Sequence, residues 1–232
     1  MIIVPSSNYY ERSEVSNSDL TTLKNLLHPG LAFRVDEAAR QAAFRFGSLV
    51  DTLITESDKA NHYTYTIADD PVPYTEAEWR HAMEMRSALL DEASRDPFLL
   101  KVLSTAYTQT AMVNPEQPFE YGSFPFSLPA RCKWDWWLYE CNFGGDLKTT
   151  FASTQKEFEE ALDFFDWDRS RAYYMDIARS DRDFIYAISK KNCKVFKHFI
   201  RRGDATYNRG RDKYQELAFQ YWCLNLNVED KQ

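Results

Sequence analysis

Leucines 20, 23, 26 and 27 recur at helical spacing behind Ser16-Asn17-Ser18-Asp19, whose short polar side chains suit a helix N-terminus. This pattern predicts a capped amphipathic helix that ends at His28-Pro29-Gly30. A second helix is expected from about Asp36 to Thr55, with Ala39, Ala42, Ala43, Phe46, Leu49, Val50, Leu53 and Ile54 as its apolar positions. Thr75-Glu76-Ala77-Glu78 has the form of a capping box and opens a third helix reaching about Ala93. Asp96-Pro97 starts a fourth, through Leu99, Leu100, Val102 and Leu103.

Past these helices the texture changes. From Phe119 to Thr150 aromatic, β-branched and turn-forming residues dominate, which favours strands. Lys133–Leu138 reads as one strand and Gly145–Thr150 as the next, joined through Asn142-Phe143-Gly144-Gly145. Thr154–Phe165 and Trp167–Arg179 read as helices, and Asp183–Ser189 with Lys194–Ile200 as a hairpin turning at Lys190-Lys191-Asn192. A final helix is expected over Tyr207–Asn225. The expected fold class is α/β, one domain made of an N-terminal helical part (1–114) and an α/β core with a C-terminal helix (115–232).

Composition narrows the class. Of the 232 residues, 44% are hydrophobic and 27% charged, as in a globular chain and unlike a disordered one. No apolar run approaches the ~20 residues of a membrane span. The start Met1-Ile2-Ile3-Val4-Pro5 lacks the basic opening of a signal peptide, so a cytoplasmic protein without a membrane partner is expected. Cys132, Cys141, Cys193 and Cys223 form no CxxC pair. This disfavours zinc ribbons and iron–sulfur clusters, and makes buried small hydrophobes the default reading of all four. Net charge is −7, but residues 179–213 carry +7, leaving −14 for the remainder. Such asymmetry fits a local nucleic-acid surface on an acidic body, or equally a solvated hairpin and helix.

The chemistry is concentrated in Arg131-Cys132-Lys133-Trp134-Asp135 and Gly144-Gly145-Asp146-Leu147-Lys148-Thr149-Thr150. On a strand Asp146 and Lys148 project to one side and Leu147 to the other. A short turn brings Asp135, on the preceding strand, near Asp146. Two carboxylates beside an ammonium can hold a divalent cation and position a water. A cross-strand Asp–Lys salt bridge is the plainer alternative. The apolar residues around both aspartates weigh against it, because unpaired carboxylates there are costly.

Asp135 followed by Asp146-x-Lys148 resembles the pattern of PD-(D/E)XK nucleases, and more narrowly the phage-associated exodeoxyribonuclease VIII-like group related to the RecB-type nuclease domain. Ser16-Asn17-Ser18-Asp19-Leu20 through Pro29 resembles that group's opening helix. Phe46-Gly47-Ser48-Leu49-Val50-Asp51 resembles its Gly-x-x-x-His helix, and Trp167 through Tyr173-Tyr174-Met175-Asp176 the helix after the catalytic strands. The likeness spans most of residues 16–200. Asp51 replaces the histidine and keeps an oxygen ligand suited to a hard cation. Gly47, one turn earlier, would let backbone approach closely. Ser170 replaces the glutamine that usually precedes the tyrosine equivalent to Tyr174, and Trp134 stands where a proline is frequent.

The resemblance implies a restriction-endonuclease-like core, a central mixed β-sheet flanked by helices, with the N-terminal helical extension. It implies Mg²⁺ (or Mn²⁺) held by Asp51, Asp135, Asp146 and the Leu147 carbonyl, with Glu120 a further candidate, and catalysis by Asp135, Asp146 and Lys148. Arg131, Lys133, Ser170, Tyr174, Lys190 and Lys191 are the expected nucleic-acid contacts. The implied activity is metal-dependent hydrolysis of DNA in recombination or repair, in a bacterial or phage-infected cytoplasm. A homo-oligomer and a single-strand annealing protein are the partners the group implies besides DNA. Two other classes stay open: a nuclease-fold protein that binds nucleic acid without cutting it, and an unrelated hydrolase or interaction module in which the Asp–Lys pair is structural.

Overall fold

The aromatic stretch folds into one long hairpin, β4 (Tyr107–Tyr121) and β5 (Phe124–Leu138), in a computed structural model that describes residues 1–29 and 36–229. β4 begins twelve residues before the Phe119 expected from sequence. Pro115 and Pro118 argue against a paired strand there, since proline cannot donate to a ladder. The structure absorbs Pro115 in a register shift between Asn114 and Gln117. The short β1 (Ile2–Val4), which no sequence pattern announced, pairs antiparallel with β4 through Ile3 and Met112.

The helices fall where the capping chemistry puts them. α1 (Asn17–Leu27) carries a full capping box between Ser16 and Asp19, and α2 spans Glu37–Thr55. Gly30, expected to help end α1, lies outside the described residues. β2 (Ala60–Asn61) and β3 (Thr66–Ile67) form a small hairpin before α3 (Glu76–Ala93), which Thr75 and Glu78 cap reciprocally. α4 (Pro97–Thr105) begins at proline, with Asp96 accepting from the Phe98 and Leu99 amides. β6 (Phe143–Thr150) follows β5, and α5 (Gln155–Phe164) and α6 (Trp167–Ala178) cross to β7 (Arg182–Ser189). β8 (Val195–Arg201) and α7 (Ala205–Glu229) complete the chain.

Six strands form one sheet in the order β1-β4-β5-β6-β7-β8. β6 and β7 pair in parallel and their neighbours antiparallel. A parallel pair needs a crossover, which α5 and α6 supply. Each face of the sheet buries its own core. Val15, Leu20, Phe158, Tyr173 and Tyr214 pack under α1, α5, α6 and α7, while Leu49, Trp79, Met85, Leu99 and Tyr186 pack under α2, α3 and α4. The result is a mixed α/β protein with a central sheet flanked by helices, a layout consistent with a restriction-endonuclease-like core. A division at residue 114 falls inside β4, whose pairing with β1 and β5 joins both parts in one sheet. Among the described residues no helix is long and apolar enough to cross a membrane.

β5 and β6 pair only through Trp136–Gly145, Trp137–Gly144 and Leu138–Phe143. Gly145 is confined here, because a Cβ would sit 2.1–2.3 Å from three carbons of the buried Phe184 ring. Gly145→Ala is therefore expected to cost about 1–3 kcal/mol by overpacking. Urea unfolding should show a lower midpoint at unchanged slope.

Candidate active site

The next pair in the β5–β6 ladder would be Asp135 with Asp146, and there the strands part. Asp135 Oδ2 accepts from the Leu147 amide at 2.7 Å, so a side chain takes the place of a ladder carbonyl and holds the fork open. The β4–β5 ladder is interrupted at the same level: pairing runs through Thr108–Trp136 and Thr110–Trp134 but skips Gln109, whose φ is +51°. The alternation of β5 changes phase across Asp135. Trp134 packs into one core and Trp136, two residues on, into the other. Leu147 is buried under α2 and α3, as its place between Asp146 and Lys148 predicts.

Charged groups from several elements face the fork. The Lys148 ammonium contacts Asp146 Oδ2, and Arg171 of α6 donates to Asp146 Oδ1 at 2.9 Å. Arg171 is clamped from behind by Asp183, whose Oδ2 accepts from Nε at 2.9 Å. Asp51 of α2 enters from the opposite layer. Gln109 Nε2 donates to its Oδ2 and to the Thr55 hydroxyl, both at 3.0 Å. An alanine methyl at Gly47 would meet Thr149 Oγ1 at an ordinary 3.7 Å, so α2 needs no glycine there for a close approach, contrary to expectation.

Electrostatics separates the carboxyls. Burial pushes the Asp51 carboxyl up to about 6, aided by the nearby Asp146 charge and opposed by Lys148 and Lys133. Burial, then Asp51 and Asp146, raise Asp135 well above the carboxylate range. Asp146 is also penalised by burial, yet Lys148 and Arg171 outweigh that and hold it below the ordinary value. Burial works against the Lys148 charge, but Asp146 and Asp135 more than compensate and keep it protonated. Burial and like charge thus oppose ionisation of Asp135, while Lys148 and Arg171 favour the anionic form of Asp146.

Asp146 Oδ2 is shielded from solvent and meets the Lys148 ammonium. Such an oxygen, beside two carboxyls held above their normal range, is suited to a hard dication. The three aspartates do not form a closed shell: among the described residues the cluster with ligand atoms within 4.8 Å of one another is His81, Glu84 and Cys193. The aspartates would have to draw together around an ion.

Some expected site residues lie elsewhere. Glu120 is exposed and pairs with Pro125, ten residues along β5 from Asp135 and so ~30 Å away. Its amide instead donates to Gln215. The expectation failed because β4 is longer than the sequence suggested, and the β4 residue at the fork is Gln109. Arg131 is buried rather than available to phosphate; it donates to the Arg12 carbonyl and stands 3.5 Å from Asp19. Ser170 turns its hydroxyl back onto the Trp167 carbonyl.

Lys133 is half-buried, with Nζ 3.2 Å from the Tyr10 hydroxyl, and its charge reaches Asp51. Tyr174 lies under the Arg171 guanidinium at 4.6 Å and edge-on to Trp134. Lys190 lies over the rings of Phe46 and Phe151, and Lys191 is exposed beside it. Much of the basic segment is engaged in ion pairs: Lys197 with Asp96, Arg202 with Asp176 and Asp181, and Arg209 and Lys213 with Asp163 and Asp168. Of the cysteines only Cys132 is fully buried; the other three are half-buried. Arg171, Asp183 and Gln109 escaped the sequence reading. An Arg in a helix and a Gln in a strand carry no spacing signal, although Arg171 follows the Ser170 position that the resemblance had marked.

No protein-family model matches the chain, and no curated protein matches its sequence. Among solved structures, a phage related exonuclease from Haemophilus somnus 129PT aligns at 9% identity with a TM-score of 0.41, covering 96% of this chain and 99% of that one. The protein SSO0001 aligns at 10% identity with a TM-score of 0.35, covering 61% of this chain and 69% of that one.

A carboxyl with a raised folded-state pKa stabilises the fold while protonated and loses that contribution as pH rises through the folded value. Asp51 and Asp135 both act in this sense, Asp51 between about pH 4 and 6. Asp135→Asn keeps an acceptor for the Leu147 amide and removes the repulsion. It should raise metal-free stability at pH 7, by about 1 kcal/mol as is typical of a single substitution. Thermal unfolding in chelator should show the gap between parent and variant widening from pH 5 to pH 7.

Proposed function

We propose that the chain is a metal-dependent nuclease of the PD-(D/E)XK kind, a phosphodiester hydrolase acting on DNA and of the exodeoxyribonuclease class. The observation that carries this reading is the fork, where Asp135, Asp146 and Lys148 face Asp51 at the point where β5 and β6 separate. Asp51, Asp135, Asp146 and the Leu147 carbonyl would hold Mg²⁺ or Mn²⁺. When bound, the ion supplies a water of lowered pKa and offsets charge on the phosphate.

The protein's own groups divide the remaining work. Lys148, kept protonated by Asp146 and Asp135, acts as a fixed cation and donor toward a phosphate or water oxygen rather than as a base. Arg171 holds Asp146 by one oxygen, and Lys148 contacts the other at the fork. Gln109 and Thr55 orient Asp51. Lys133 on one side, and Lys190 with Lys191 on the other, would meet the backbone of a nucleic acid.

A second reading rests on the same ion pair. With Arg171 and Lys148 both on Asp146, a protein that binds DNA without cutting it would need no dication. It predicts salt-dependent binding by the parent protein and no Mg²⁺-dependent products.

On linear duplex DNA with Mg²⁺, Asp146→Asn and Lys148→Ala should each lower degradation about 100-fold or more, and chelation should abolish it. Parental rates in either variant would overturn the site. Gln109→Ala, which only releases Asp51, should cost less, roughly tenfold, and higher Mg²⁺ should recover part of the loss.

A further inference from the structure

His81 and Glu84 lie one turn apart on α3, and Cys193 comes from the turn between β7 and β8. A ring nitrogen, a carboxylate oxygen and the thiol sulfur of these residues lie within 4.8 Å of one another. The orientation of His81 is fixed independently. Its Nε2 is 3.0 Å from the Lys190 carbonyl, and a carbonyl only accepts, so Nε2 carries the hydrogen and donates. That leaves Nδ1 with a lone pair in the neutral ring. Nδ1 is 3.6 Å from Glu84, too far for a hydrogen bond, so it is not consumed there. Phe46 stacks on the imidazole at 5.5 Å and restrains its rotation. A ring N–H donated to a backbone carbonyl is how histidines that ligate metals are aimed.

We propose that His81, Glu84 and Cys193 form a second metal site, taking one borderline dication of the Zn²⁺ class. The donor set decides the class. Imidazole with thiolate suits Zn²⁺ or Co²⁺ and not Mg²⁺, which prefers oxygen ligands. Three protein ligands leave a fourth position open. Cys193 also lines a hollow of about 360 Å³ beside Asp91, Glu92 and Lys194. The ion would tie α3 to the β7–β8 turn. That turn carries Lys190, whose amide donates to the Thr150 carbonyl at the end of β6, so a clamp here steadies one rim of the fork. The site does not depend on the nuclease reading, since none of its ligands belongs to the fork.

The test is titration of the full metal-stripped chain with Co²⁺, followed by absorbance. One equivalent should produce a thiolate-to-Co²⁺ charge-transfer band that Zn²⁺ then displaces. Cys193→Ser should abolish the band, and His81→Gln should weaken Co²⁺ binding at least about tenfold. Asp146→Asn, which disables the fork, should leave the band intact. Absence of a band from the parent protein overturns the proposal. So does a band that survives Cys193→Ser, which would assign the metal to Cys141 or Cys223. If Cys193→Ser fails to fold, His81→Gln decides alone, and unchanged binding in it counts against the site.

Discussion

The structure turns on one substitution of a side chain for backbone. At the level of Asp135 the β5–β6 ladder ends, and the carboxylate accepts the amide that a ladder carbonyl would otherwise have taken. An unpaired buried amide is costly, so this bond makes the separation of two central strands tolerable. The separation opens the sheet to both helical layers. Arg171 reaches the fork from α6 on one face, and Asp51 reaches it from α2 on the other. A continuous ladder would have kept those two residues on opposite sides of a closed sheet.

Charge balance follows from that opening. Asp51, Asp135, Asp146 and Asp183 stand against two directly contacting cations, Lys148 and Arg171. Fully ionised, the group would carry two uncompensated negative charges in a largely desolvated place. Burial and like-charge repulsion raise Asp51 and Asp135, so their ionised forms are the costly ones. Asp183 is raised as well, to about 7, by burial that its Arg171 partner only partly offsets. Arg171 thereby couples Asp183 to Asp146, and its raised pKa keeps it charged as the link between them.

Much of this was legible in local chemistry. The capping boxes at Ser16 and Thr75 and the proline at Asp96-Pro97 set helix starts within a residue of those observed, because caps are decided by neighbours in sequence. The spacing of Asp146 and Lys148 put them on one face for the same reason. What escaped depends on distant parts of the chain. The true start of β4 was hidden by prolines that a register shift accommodates. Arg131 sits two residues from Lys133 and looks equivalent to it, yet the Arg12 carbonyl and Asp19 enclose the Arg131 guanidinium, while Lys133 is left half-buried against Tyr10. The basic run at 179–213 was legible as charge. Its consumption by Asp163, Asp168 and Asp176 required knowing that α5, α6 and α7 pack together.

The salt-bridge reading of the fork can be weighed on this ground. An Asp146–Lys148 pair on one strand face needs no further acid, and with Arg171 paired to Asp183 the four charges already balance. Asp51 and Asp135 add net cost to that pair, since burial and like charge outweigh the attraction of Lys148, and an asparagine would accept the Leu147 amide without a charge. Gln109 adopts a left-handed backbone in a strand, a conformation that costs of order 1–3 kcal/mol, in the one place where its amide reaches Asp51. A purely structural ion pair explains two of these residues and leaves the others as unrelieved cost. The dication proposed for the fork would account for Asp51, Asp135, Asp146 and the amide that aims Asp51 with a single cause.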